Sequence, residues 1–441
     1  MDKYPHFTIG ELCKIEKGET GLASAAPGEY PLVNTGAERK SCKTYQFDTE
    51  AVCIPLVSST GHGKKTLNYV HYQRGKFALG TILAAVIPKE HKKLSAAFLH
   101  RYLQFYKDRK IVPLMKGAAN VSLAIKDIAK INIPLPPINE QNSFIELFNK
   151  LDGTSKKLQS EFLRQLSYLA LLRQTVLQEA IEGKLTAEWR KKNHKLISGE
   201  NHASKMLDKI KAEKEQLIKE RKIKKENTQE PAYSLPINIP KDWIQCRLVD
   251  ISKQVTDGTH QTPTYVKEGE IFLSAQNVKP FKFMPDNHQF ITRAAFDLNR
   301  KNRVPEKDDL LVARVGAGIG ETAVIDQNID FAFYVSLGLV KIFKQWINPN
   351  YLALVFNSPY GVSYAKRNIS SQGTSAGNYN LGRIRAFEIP LPSVYEQQAI
   401  VERVDKLMTI INELEKQVNE RKDYSERLMQ SVLREAFEDK V

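Results

Sequence analysis

Four polar stretches carry the side chains best suited to bind another molecule. His260, Gln261 and Thr262 follow Asp257-Gly258-Thr259; Gln276 and Asn277 precede Lys279; Arg314 interrupts an apolar run; Gln372, Thr374, Asn378 and Asn380 crowd a single loop. Planar amides and guanidinium groups form paired hydrogen bonds in one plane, the geometry that matches the edges of adenine and guanine. In the first half of the chain Lys64 and Lys65, with Lys116 and Asn120, supply ammonium groups and an amide suited to phosphates or base edges. Gly, Asn, Thr and Asp are turn formers in their own right, so turn chemistry explains each loop taken singly equally well.

Motifs for bond-making chemistry are incomplete. Gly316-Ala317-Gly318-Ile319-Gly320 and Asn348-Pro349-Asn350-Tyr351 invite comparison with the cofactor loop and N-P-P-Y motif of DNA adenine methyltransferases. Asn350 replaces the proline that shapes the base-binding turn, and Asn-Pro before an apolar run is also an ordinary helix start. The glycines are better read as a strand-to-strand turn. Gly61-His62-Gly63-Lys64-Lys65-Thr66 lacks the spaced first glycine of a phosphate-binding loop and has Lys65 where a magnesium-holding hydroxyl is required. Asp308-Asp309 and Pro285-Asp286 are acidic turns of a common kind, and no nucleophile stands with a base. Cys13, Cys42, Cys53 and Cys246 form no C-x-x-C pair, so neither a disulfide framework nor a metal site is indicated.

The 441 residues allow two or three cores, and 42% hydrophobic with 26% charged residues is an ordinary globular composition. No apolar run reaches membrane-spanning length, and the start Met1-Asp2-Lys3-Tyr4-Pro5 has no signal-like apolar region, so a cytoplasmic protein is expected. A net charge of +15 favours a polyanionic partner. From Arg190 to Glu226 there are 13 basic and 6 acidic residues, so +7 of that charge lies in one segment.

The loops are positioned by a repeat. Ile133-Pro134-Leu135-Pro136 recurs at Ile389-Pro390-Leu391-Pro392, a shift of 389 − 133 = 256, and Glu140-Gln141 then falls on Glu396-Gln397. The match continues without a gap to Lys184 on Lys440, the mark of a duplicated, continuous element. Phe148, Leu151, Leu158, Phe162, Leu169, Leu172 and Val176 keep a 3-4 spacing, as do Val404, Leu407, Ile411, Leu414, Val418, Leu428 and Val432. Such spacing predicts a coiled-coil seam on a helix of roughly 65 Å in each copy. The two helices are expected to pair with each other; docking on another body or pairing between chains is the alternative.

In chain order this predicts a first recognition domain at 1–136, a helix at 137–185, a basic helical connector at 186–238, a second domain at 239–392 and a second helix at 393–441. Strands are expected at Tyr30–Val33, Ala51–Val57, Phe77–Ile87, Ile271–Ser274, Leu310–Val315 and Phe331–Phe343, with helices near Phe98–Tyr106, Ala203–Lys225 and Tyr351–Lys366. The fold class is α+β with an internal repeat: two binding domains on one helical ruler.

The twin I-P-L-P…E-Q-plus-helix runs, the connector Ala203-Ser204-Lys205-Met206-Leu207-Asp208-Lys209-Ile210-Lys211-Ala212-Glu213-Lys214 and the Gln372-to-Asn380 loop resemble the specificity subunit of type I restriction-modification enzymes. The resemblance implies a non-catalytic subunit whose two α/β target-recognition domains, held apart by antiparallel helices about a pseudo-twofold axis, each read half of a bipartite, asymmetric site in double-stranded DNA. Two methyltransferase (modification) subunits and then motor-nuclease (restriction) subunits would assemble on it. S-adenosylmethionine, ATP and magnesium would belong to those partners. A self-sufficient DNA adenine methyltransferase or nuclease, and a coiled-coil interaction scaffold, are the rival readings.

Overall fold

A computed structural model describes residues 4–437 apart from 61–62, 232, 234–235 and 371–376. The chain divides into two units, one of residues 1–163 with 419–441, the other of residues 164–418.

In the first unit a four-stranded antiparallel sheet runs Cys13–Lys17, Leu83–Pro88, Ala51–Pro55, His71–Gln73. Successive side chains on a strand face opposite sides, and the central strands are apolar on both. Val52, Ile54, Ala84 and Val86 pack with Phe98, Leu99, Tyr102 and Leu103 of the helix Ala96–Tyr106. Ala51, Cys53, Leu83 and Ala85 pack with Val33, Phe47, Phe77 and Leu79 of a smaller sheet, in which Tyr30–Val33 runs parallel to Lys76–Leu79.

The second unit repeats this plan. Its main sheet runs Ser252–Asp257, Leu337–Ile342, Leu310–Ala313, Thr322–Val324, the same order as in the first. Leu310, Val312 and Val340 face one core, and Leu311, Leu337 and Leu339 the other. A parallel pair, Glu270–Leu273 with Ala332–Phe333, again lies in the smaller sheet. Two expected long strands are each broken in two, because Gly80 and the Tyr334–Ser336 turn lie inside apolar runs that periodicity alone cannot divide. The expected helix over 351–366 is likewise two helices, Pro349–Asn357 and Pro359–Arg367, divided where Ser358 caps and Pro359 restarts the backbone.

Each domain closes on its I-P-L-P run, where His6–Thr8 pairs Asn132–Pro134 and Ile244–Arg247 pairs Glu388–Leu391. The glutamine that follows is buried and works as a clasp. Gln141 Oε1 accepts from Ser95 N at 2.9 Å, and its Nε2 donates to Lys93 O and Pro136 O at 2.9 and 2.8 Å. Gln397 Oε1 accepts from Asn348 N at 2.8 Å, and its Nε2 donates to Trp346 O and Pro392 O at 3.2 and 3.1 Å. The preceding glutamate ties down the start of the domain: Tyr4 Oη donates to Glu140 Oε2 at 2.6 Å, and Trp243 Nε1 to Glu396 Oε2 at 2.9 Å.

The long helices are Ile138–Ile181 and Val394–Phe437, 44 residues each. Within the second unit they pair antiparallel. Arg173 reaches Asn412 and Glu415 at 2.9 and 3.1 Å, while Val176, Leu177 and Ala180 share a core with Ile400, Val404 and Ile411. Only part of the expected seam is inside. Phe162 and Val418 are buried and Leu151 and Leu407 half-buried, but Leu158, Leu172, Leu414 and Leu428 are 39%, 44%, 41% and 50% exposed. Two helices cover one row of each other's side chains, so the second row of the 3-4 pattern stays on the outside. Phe148 also departs from expectation: it lies under the Arg101 guanidinium of the domain helix, 4.7 Å from ring centre to Cζ. The first turns of that long helix pack on the domain, as Phe144 against Phe98 shows.

The connector is no loose tether. Its helix is Ala203–Lys219, shorter than expected because Arg221 adopts φ +56° and the backbone then extends. Met206 and Ile210 are buried in the second domain's core, Lys214 Nζ donates to Val249 O and Ser252 O, and Glu226 accepts from Val255 N at 2.9 Å. No helix among the described residues is long and apolar enough to cross a membrane.

Candidate nucleic-acid interface

The polar loops of the second domain converge on one buried side chain. Arg314 is 4% exposed; its Nη1 donates to Asp257 Oδ2 at 2.6 Å and Val335 O at 2.9 Å, and its Nε to Tyr379 O at 3.0 Å. Burial draws its pKa below the usual arginine value, against the pull of Asp257. The expectation that Arg314 reads a base is therefore corrected by its burial: the side chain lies inside the domain, where it braces the loops at 257–262, 334–336 and 378–379.

Around this brace stand the exposed groups. His260 Nε2 is 3.3 Å from Asp257 Oδ2, Thr262 Oγ1 donates to Tyr334 Oη at 3.3 Å, and Gln261 and Gln276 are exposed. Lys279 Nζ lies 3.6 Å from Glu321 Oε2. Asn378 pairs with Val315 across an isolated bridge and is half-buried, its Oδ1 lacking a hydrogen bond among the described residues. Gln372 and Thr374 lie outside the described residues.

Two amides serve the fold instead. Asn277 is fully buried: its Oδ1 accepts from Ser274 N at 2.9 Å and its Nδ2 donates to Met284 O and Asn287 O at 2.9 and 2.6 Å. Asn380 caps the short helix Leu381–Arg385 by accepting from Gly382 N at 2.7 Å. For these two the turn-forming role holds, because each amide oxygen accepts from a backbone N–H two or three residues away.

In the first domain two loops are stitched together. Val57 and Lys116 both bridge to Ser122, and Gly63, at φ +76°, packs its backbone so close to Ala118 O that a Cβ would collide. The loop carrying Lys64 and Lys65 is held from within, Ser58 Oγ donating to Lys64 O at 2.5 Å and the Thr60 and Thr66 hydroxyls lying 2.7 Å apart. Lys64, Lys65, Lys116 and Asn120 are thus gathered and exposed; Lys116 Nζ is 3.3 Å from Asp127 Oδ2. Flexible ammonium groups on a fixed loop pair suit a phosphate backbone.

The methyltransferase-like motifs are accounted for by the fold. Gly316 to Gly320 turn the chain between the paired strands Leu310–Ala313 and Thr322–Val324, with positive φ at Gly316 and Gly320. Asn348 Oδ1 accepts from Asn350 N and Tyr351 N as a helix cap, and Tyr351 is fully buried with its hydroxyl on Pro390 O. Among the described residues no group of His, Cys, Asp and Glu is placed to hold a metal ion. Residue-type reading missed the roles of Thr186, Arg190 and Trp243, which converge on Glu396; the repeated Glu-Gln pair was the available signal.

The sequence pattern of the type I restriction modification DNA specificity domain matches residues 1–165 and 240–421. The EcoBI specificity subunit of a type I restriction enzyme from Escherichia coli is 35% identical over 131 residues, 30% of this chain and 28% of that protein. The EcoAI specificity subunit, also from Escherichia coli, is 26% identical over 290 residues, 59% of this chain and 43% of that one. The matched regions thus span 28% and 43% of these relatives. Among solved structures, the HsdS subunit from Thermoanaerobacter tengcongensis aligns with 99% of this chain and 97% of its own at 15% identity and a TM-score of 0.54. A chain from a study of complex assembly and conformational transition of the type I R-M system aligns over 99% and 98% at 14% identity and a TM-score of 0.64. These likenesses are of fold. With two matched regions covering most of its length, the chain belongs to the type I restriction-modification DNA specificity family.

Proposed function

We propose that this chain is the DNA-recognition subunit of a type I restriction-modification complex, with each domain reading one half of a bipartite site in double-stranded DNA. The observation that carries the reading is the repetition of one scaffold with different loops. Both domains set a polar loop pair on the same pair of sheets, and both close on a Gln clasp that leads into a long helix. Lys64, Lys65, Lys116 and Asn120 in the first domain, and His260, Gln261, Thr262, Gln276, Lys279 and Asn378 in the second, are the proposed contacts; Gln372 and Thr374 belong to the same proposal.

The long helices set the separation of the half-sites and dock two methyltransferase subunits, on which motor-nuclease subunits assemble. The exposed row that includes Leu172 and Leu414 supports docking, since apolar rows on a helix are normally covered. In this reading the chain works in the cytoplasm and performs no chemistry itself, and S-adenosylmethionine, ATP and magnesium are bound by the partners.

A mobility-shift experiment with random duplex DNA at two salt concentrations, with and without methyltransferase subunits, tests the proposal. The expected result is salt-sensitive binding by the chain alone and site-selective binding by the assembly. Methylation or cleavage by the chain alone would refute the non-catalytic reading. Indifference to DNA in both arms would leave a protein scaffold.

A further inference from the structure

The register of the two domains exposes a residue that loop composition does not. The parallel pairs Leu32 with Ala78 and Phe272 with Ala332 are topologically equivalent. The antiparallel partners of these strands correspond as well, Leu32 pairing Lys40 and Phe272 pairing Gln289, so Arg39, one residue before Lys40, takes the place that His288 has in the second domain. The Arg39 side chain packs against the strand His71–Gln73, an edge of the main sheet.

Arg39 is held as a fork. Its Nε donates to Gln73 Oε1 and its Nη1 to His71 Nδ1, both at 3.3 Å. His71 is 5% exposed, and burial, with the Arg39 charge second, pushes its pKa down to about 4. The ring is then neutral and able to accept at Nδ1. Tyr69, 41% exposed, stacks on the imidazole at 5.8 Å between ring centres. This strand leaves the loop that carries Lys64 and Lys65, anchored to it by Asn68 N on Ser59 Oγ at 2.9 Å. The guanidinium is half-buried and held at Nε and Nη1, and Nη2 makes no hydrogen bond among the described residues.

Resting on the reading that the first domain contacts DNA, we infer that Arg39 reads a base of the first half-site, presenting its fork to a paired acceptor edge such as guanine O6 and N7. Gln73 and His71 are positioning residues for that fork. A braced, planar, half-buried guanidinium suits one in-plane target, whereas Lys64, Lys65 and Lys116 on their exposed stems suit phosphates.

The test uses the chain assembled with methyltransferase subunits and selection of bound duplexes from a randomised library. Arg39→Ala is expected to weaken preference at one position of the first half-site by about 5- to 150-fold, with the second half-site unchanged. Arg39→Lys keeps the charge and loses the fork, so it should lose the same preference at an unaltered salt slope. Gln73→Ala should blur the same position to a smaller degree. An equal loss on all sequences, with the salt slope of Arg39→Ala lower by about one unit, would place Arg39 on a phosphate and overturn the inference. So would an unchanged first half-site, or a change confined to the second. Retained selection of the second half-site and an unshifted melting temperature show that a variant is folded; if Arg39→Ala fails this check, Arg39→Lys and Gln73→Ala carry the test. If the unaltered assembly selects no bipartite site, the proposed function falls together with this inference.

Discussion

Glu396, fully buried at the start of the second long helix, accepts a hydrogen bond from Trp243 Nε1 at 2.9 Å, tying the entrance of the second domain to its exit. Its other oxygen accepts from Thr186 Oγ1 at 2.7 Å and Arg190 Nη1 at 2.5 Å, both from the segment that follows the first long helix. One carboxylate therefore fastens three parts of the second unit.

Replacing Glu396 by Ala leaves three donors without an acceptor, one of them a nearly buried guanidinium. Breaking one side of a buried pair costs about 3–5 kcal/mol, so the second unit should melt roughly 6–20 °C lower, at about 2–4 °C per kcal/mol. Glu396→Gln keeps an acceptor for Trp243 and should lose about half as much. Calorimetry of the two variants checks this, and a shift under a degree in Glu396→Ala would contradict the clasp.

Arg314→Lys should disable one half-site selectively. The ammonium cannot reach Asp257, Val335 and Tyr379 together, so the loops at 257–262 and 378–379 lose their brace. Selection from a random library by the assembled complex should show relaxed second half-site bases and an unaltered first half-site. Relaxation at both would mean that the side chain acts on stability alone.

The first unit should lose stability in mild acid. His71 and His100 are both depressed to about 4, chiefly by burial, against 6.5 when free. Their folded pKa lies below the unfolded one, so the unfolded state binds more protons between about 4 and 6.5. Stability is complete above pH 6.5 and falls as pH drops through that window, by on the order of 1–3 kcal/mol for each group. Melting curves at pH 7.5, 6 and 5 should show the decline, and His100→Gln should flatten it; a pH-independent melting temperature would refute the assignment.

Leu172 and Leu414 are exposed, so converting both to Asn should lower the melting temperature of the free chain by no more than about 4 °C. Co-purification with methyltransferase subunits should weaken by about tenfold or more if this row is covered in the assembly. Undiminished assembly would move the docking surface elsewhere on the chain.

Periodicity and local backbone chemistry were legible without coordinates. The 256-residue repeat shows when the chain is aligned with itself, and the two uninterrupted helices, the apolar central strands, the Gly316–Gly320 turn and the Asn348 helix cap each depend on neighbours a few residues away, where such preferences are written. Register, burial and the duties of polar side chains were not. Asn277, Asn380 and Arg314 looked like readers and are struts, because whether an amide or guanidinium is free depends on the backbone groups that the fold brings within its reach. A 3-4 pattern announces two apolar rows, but only the number of helices beside it decides which row is covered, so Leu172 and Leu414 lie outside while Val176 and Ile411 lie within. Arg39 attracted no notice among turn residues, since only the folding of the sheet brings His71 and Gln73 to hold it.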